Sequence, residues 1–171
     1  MAKTYRSRKA KGNRLESRIA AEYRKIGIEA RRMPMSGAMT HMKSDIFKPI
    51  PDGYHDEVKN QETVKLRDWW NQTTSTCGSS IPVLHISANY RPVITVMSSS
   101  QWYQLLQELK DIGSGYIHNT KKIDKKRYNL WDEWDEVRNS TEYGDPVLHL
   151  ENIDLTVISL DHYMEIRELL L

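Results

Sequence analysis

Apolar positions recur along this chain with two different periods. Leu15, Ile19, Tyr23 and Ile26 follow one another at helical spacing and Gly27 ends the run, so a helix is expected over residues 14–26. Asn13 stands at its N-cap position with Glu16 three residues on, the pattern of a capping box. Residues 28–33 can form a first strand, 34–43 carry Pro, Gly and Ser and read as a loop, and 44–50 form a short second strand. PDGYHD turns the chain. EVKNQ at 57–61 opens a third strand, which can begin a residue or two earlier. TVKLRDWWNQT at 63–73 has the spacing of an amphipathic helix with its tryptophans inward. IPVLHIS at 81–87 and VITVMS at 93–98 are rich in β-branched residues and read as a hairpin or a pair of adjacent strands. SSQWYQLLQELKD at 99–111 reads as a helix capped by Ser99 or Ser100, with Trp102, Leu105, Leu106 and Leu109 on one face.

Beyond Gly113 the pattern loosens. KKIDKKR at 121–127 is basic and expected to be exposed, and WDEWDEV makes one or two helical turns. The chain then echoes itself: PVLHL at 146–150 repeats PVLHI at 82–86, LTVIS at 155–159 repeats ITVMS at 94–98, and HYMEIREL at 162–169 repeats WYQLLQEL at 102–109. A second strand–turn–strand–helix unit is expected, either as a duplication or as two amphipathic units under similar demands. The organisation read from this is a basic flexible segment over 1–12, a core over 13–111 and a C-terminal α+β extension over 112–171.

Charge changes the picture more than composition does. Residues 1–32 hold 11 Lys/Arg against 3 acids, and residues 128–171 hold 2 against 11, although the whole chain nets only +2. A basic head of that density suits a polyanion, because neutralised phosphates release counterions; a solvated tail is the plainer alternative. A lone Cys77 excludes an intrachain disulfide and fits a reducing cytosol. No apolar run approaches the roughly 20 residues of a membrane span, so a soluble, cytoplasmic protein is expected. No Gly-rich phosphate loop is present, so no nucleotide cofactor is expected.

The candidate chemistry lies between residues 45 and 59. Glu57 and Lys59 are two apart on an expected strand and share a face. Asp45, in the preceding strand, converges on them if the two strands are adjacent. Two carboxylates suit a hard cation such as Mg²⁺. That ion lowers the pKa of water and stabilises charge on a phosphate, and a neighbouring lysine can orient the attacking water. Glu-x-Lys on a strand can equally be a solvent-facing pair. Glu16 borders the stripe of Ile19, Ala20 and Tyr23 and needs a partner; a metal or the capping box would serve equally. His85 and His149 read as hydrogen-bonded structural histidines. His41 and His55 flank the site, Trp69 and Trp70 read as core or dimer surface, and Cys77 as inert.

The order KGNRLESR (11–18), RMPMSG (32–37), SDIF (44–47), EVKNQ (57–61) and IPVL (81–84) resembles the archaeal Holliday-junction resolvases, a branch of the PD-(D/E)XK superfamily. It spans residues 8–109, about 60% of the chain. The resemblance implies an α/β fold: a restriction-endonuclease-like core with a central mixed sheet of about five strands flanked by helices. It implies that Asp45, Glu57 and Glu16 bind Mg²⁺, with Mn²⁺ as substitute, and that Lys59 is catalytic. It also implies that Arg32 and Ser36 lie near the scissile phosphate and that Lys11 belongs to the basic entry to the first helix. Two departures stand out. Ser17 replaces the arginine that commonly follows the helix glutamate, with Arg14 or Arg18 as substitutes for DNA contact. Ser44 replaces the proline before the aspartate, while Pro51-Asp52 lies too close to Glu57 and reads as a turn. The implied activity is resolution of four-way DNA junctions by a homodimer. Another nuclease of the superfamily acting on duplex ends, flaps or restriction sites, a non-catalytic DNA-binding protein, and an interaction protein are the rivals.

Overall fold

The computed structural model describes residues 2–34, 43–140 and 142–171. The chain divides into two compact units, residues 1–93 and 94–171. The first opens with helix α1, Ala2–Lys25. This corrects the expected start at residue 14, since the helix takes in residues 2–12 as well. Ala, Lys and Arg dominate that stretch and are good helix formers, and Gly12 costs only about 1 kcal/mol inside a helix. The capping-box reading falls with it: Asn13 and Glu16 lie mid-helix, far from the N-terminus.

Two short strands follow, β1 (Arg31–Arg32) and β2 (Ile46–Phe47), paired antiparallel with Arg31 opposite Phe47. Both are much shorter than their expected spans of 28–33 and 44–50. Pro51-Asp52-Gly53 is a turn, as expected, with Gly53 at φ 82° and the Asp52 carboxylate accepting from the Tyr54 amide at 3.1 Å. Strand β3 (Tyr54–Asn60) begins three residues before Glu57. Helix α2 (Leu66–Thr76) then crosses over to β4 (Ile81–Ser87), which runs parallel to β3 with Glu57 opposite Leu84. Val83, Leu84 and Ile86 are wholly buried, as befits a strand in a parallel pair.

The second unit contains β5 (Ile94–Ser98), α3 (Ser99–Asp111), β6 (His118–Ile123), α4 (Leu130–Ser140), β7 (Asp145–Leu150), a 3₁₀ turn (Glu151–Ile153), β8 (Leu155–Ser159) and α5 (Leu160–Leu169). Its strands lie in the order β5-β8-β7-β6, parallel between β6 and β7 and antiparallel elsewhere. Helix α3 is capped by Ser98, whose hydroxyl accepts from the Gln101 amide, rather than by Ser99 or Ser100. The basic stretch at 121–127 is not simply exposed, because its first residues complete β6 and Ile123 is buried. WDEWDEV lies in a three-turn helix, α4. The fold is mixed α/β with helices flanking parallel and antiparallel strand pairs, the class expected from the sequence.

Candidate active site

Strand β3 sends adjacent acids to opposite faces. Asp56 is fully buried, and it accepts a hydrogen bond from the Tyr23 hydroxyl at 2.6 Å, meets His85 Nε2 at 3.0 Å and pairs with Lys48 Nζ at 2.7 Å. Burial opposes its ionisation, but Lys48 and His85 outweigh burial and hold its carboxyl well below the usual range. Lys48 also pairs with Asp52 at 2.8 Å and lies 4.2 Å from the centre of the Tyr23 ring. His85 is thus the structural histidine expected. Asp56 and Lys48 were not singled out from the sequence, since neither belongs to a local motif and each is explained by partners that only the fold brings together.

Glu57 and Lys59 share the other face. Glu57 is buried and Lys59 largely so, which corrects the solvent-facing alternative. Lys59 Nζ donates to Glu57 Oε1 at 2.7 Å and to Gln72 Oε1 at 3.0 Å, and Gln72 Nε2 donates to the same Glu57 oxygen at 3.1 Å. Gln72, on α2, is a further residue that the sequence did not single out, because it belongs to no motif and meets Glu57 and Lys59 only through the fold.

Asp45 is brought to the same place by backbone bonds. Its amide donates to the Asp56 carbonyl at 2.9 Å, and its carbonyl accepts from the Met33 amide at 2.9 Å. Its carboxylate Oδ2 then accepts from the Val58 amide at 2.8 Å, at the segment between Glu57 and Lys59. Ser44, at the position where the resolvases carry proline, anchors this corner: its hydroxyl accepts from the Asp56 amide at 3.1 Å and lies 2.9 Å from the Ile46 carbonyl.

Glu16 faces the same group from α1. Burial and the Asp45 carboxylate push its pKa up to about 7, with Glu57 adding to the effect and Arg32 opposing it. Glu57 is raised by burial and by Asp45, against the pull of Lys59. Three carboxylates therefore feel one another, with Lys59 paired to Glu57 at 2.7 Å and Arg32 3.7 Å from Glu16. Among the described residues no three His, Cys, Asp or Glu side chains form a ready-made metal cage. The donor set nonetheless fits a hard divalent ion, since clustered carboxylate oxygens are what such an ion takes.

The other expected contacts divide. Arg32 reaches Asn13 Oδ1 at 3.2 Å as well as Glu16, so it sits at the site. Lys11 Nζ donates to Asn89 Oδ1 at 2.7 Å. Together with Arg8, Lys59 and Asn60 it lines a groove of about 530 Å³. Arg8 lay in the segment expected to be flexible and was not singled out. Arg14 and Arg18 are exposed, and helical geometry turns them to the side of α1 away from Glu16. Ser36 and His41 lie outside the described residues. His55 meets Thr76 Oγ1 at 3.1 Å, and burial lowers its pKa. Trp69 is core.

No match is found among curated proteins or among solved structures. Residues 7–143 match the family described as "phage putative PDDEXK endonuclease", a span that takes in α1 from residue 7 on, the Asp45–Lys59 segment and α2. The chain belongs to that family of PD-(D/E)XK endonucleases.

Proposed function

We propose that this protein is a metal-dependent, structure-selective endodeoxyribonuclease that resolves four-way DNA junctions by paired nicking. The observation that supports it most is the Asp45 carboxylate seated on the Val58 amide, between Glu57 and Lys59 of β3. On this reading Asp45, Glu57 and Glu16 hold a divalent ion, Mg²⁺ with Mn²⁺ as substitute. Such an ion supplies positive charge against the phosphate and a lowered pKa for water. Lys59 orients the attacking water and stabilises the charge that develops on the phosphate. Gln72 keeps Glu57 and Lys59 in register by bonding both. Arg32, Ser36 and Lys11 contact phosphates near the cut, and Arg14 and Arg18 contact the duplex farther out.

The catalytic core is placed at residues 13–111, with 112–171 as an extension to it. A four-way junction has two-fold symmetry and needs two cuts, which a homodimer with two centres provides. The setting is the cell interior. The test is cleavage of a synthetic four-way junction against a linear duplex of the same sequence, in Mg²⁺ and in EDTA. Preferential, Mg²⁺-dependent nicking of the junction is expected. Equal cutting of both substrates would remove junction selectivity and leave a duplex, flap or restriction-type nuclease of the superfamily. DNA binding without cutting in Mg²⁺ or Mn²⁺ would remove the catalytic reading.

A further inference from the structure

The echo between the two parts of the chain extends well beyond its matching letters. Helices α2 and α4 are both 11 residues long and begin 64 positions apart, at Leu66 and Leu130. Strand β3 pairs parallel with β4, Tyr54 opposite Ile81. Strand β6 pairs parallel with β7, His118 opposite Asp145, again 64 positions on in both strands. Pro82-Val83-Leu84-His85 and Pro146-Val147-Leu148-His149 fall on that same offset.

After a shorter loop the offset becomes 61. Ser98 caps α3 through the Gln101 amide at 3.2 Å, and Ser159 caps α5 through the His162 amide at 3.1 Å. Trp102 and Tyr163 are fully buried at this offset, as are Leu105 and Ile166. The letter match of 102–109 to 162–169 is therefore one residue out of the structural register. Strands β5 and β8 add independent support. They pair antiparallel with Val96 opposite its own equivalent, Val157, while Ile94 faces Ser159 and Ser98 faces Leu155. Reciprocal pairing of equivalent residues is the mark of a two-fold contact between related segments.

We infer that residues 118–171 are a second, catalytically silent copy of the β–α–β–β–α unit of residues 54–111, in which Lys121 stands where Glu57 stands in the first. Which residues of the first copy are catalytic rests on the reading above. The offset places Ile123 at the position of Lys59, and Glu136 at that of Gln72. The charge at the site is thereby inverted. In the first copy a strand carboxylate, Glu57, is bonded by the helix amide of Gln72. In the second a strand ammonium, Lys121, lies 2.5 Å from Glu136 and 2.9 Å from Glu133, both on α4, with Lys125 on the other oxygen of Glu133 at 3.1 Å. Among the described residues the second copy also has no counterpart of α1 and β2, the elements that bring Glu16 and Asp45. Lys121 thus supplies internally the positive charge that the first copy takes from a divalent ion. Each chain carries one catalytic centre, so two cuts require two chains.

Thermal melting of the full chain, with Asp45→Asn as background so that the first centre is disabled, tests this without reference to cleavage. In EDTA, adding Lys121→Met is expected to lower the midpoint by about 3 °C, the shift of roughly 1 kcal/mol in a chain of this size. Millimolar Mn²⁺ is expected to recover part of that loss, because Glu136 and Glu133 then lose the Lys121 ammonium, and to leave Asp45→Asn alone unmoved. Lys121→Gln provides the same comparison with a polar side chain should the methionine variant not fold. A Mn²⁺ stabilisation of Asp45→Asn that Glu136→Gln abolishes would overturn the inference, since the second copy would then bind metal as it stands. Equal midpoints in EDTA with and without Lys121 would overturn it too. Failure of these melts leaves the nuclease reading intact, and absence of nuclease activity leaves the melts interpretable.

Discussion

The two faces of β3 treat neighbouring acids in opposite ways. On one face Asp56 has Tyr23, His85 and Lys48 around it, and its charge is matched and sealed. On the other, Glu57 shares space with Asp45 and Glu16, and burial raises both glutamates. The matched face stabilises the fold. The mismatched face spends stability to hold carboxylates where they repel, which is what a cation-binding centre requires. One residue of separation along an extended strand is enough to divide the two roles.

That contrast can be broken from either side. The largest effect is expected from Lys59→Met, which removes the ammonium beside Glu57 and should cut single-turnover DNA cleavage by about 10²–10³-fold or more, with little loss of DNA affinity. Next is Asp56→Asn on the matched face. It leaves Lys48 with one carboxylate fewer in a buried setting and should cost about 3–5 kcal/mol in urea unfolding, with any activity loss following the fraction unfolded.

Glu16→Gln sharpens the comparison through pH. Between about 4.5 and 7 the folded chain keeps on Glu16 a proton that the unfolded chain has released. Metal-free stability therefore falls as pH rises through that window. The glutamine variant escapes this, so in EDTA at pH 8 it should be more stable than the wild type by on the order of 2 kcal/mol, the advantage vanishing near pH 4.5. Denaturant titration at the two pH values reads it. The smallest effect is expected for Arg8→Ala at the groove beside Lys59: DNA affinity should fall by a few-fold and the slope of log affinity against log salt by about 1.

The β4 and α3 boundaries were legible because their signals are local: a dense β-branched run, and a leucine–tryptophan stripe bounded by Ser and Gly. The spacing of Asp45, Glu57 and Lys59 likewise pointed to three neighbouring side chains, and the bond from the Val58 amide to the Asp45 carboxylate brings them to one place. The N-terminal half of α1 was not legible, because it has no apolar stripe and its helicity comes from propensity alone. Asn13-x-x-Glu16 imitated a cap for the same reason. Asp56 and Gln72 were hidden differently. Their roles depend on Lys48, His85 and Glu57, partners 8 to 29 residues away in sequence, and no local pattern encodes such a match. The second copy was half visible, since its core letters survive in β7 and β8 while its site positions have changed charge.

The most direct test of the central claim compares wild type with Asp45→Asn on one four-way junction, at fixed Mg²⁺ and with folding checked by melting. The expected result is a folded variant that still binds the junction and has lost cleavage by at least about 10²-fold. Undiminished cleavage by Asp45→Asn would contradict the placement of the catalytic centre on the Glu57–Lys59 face of β3.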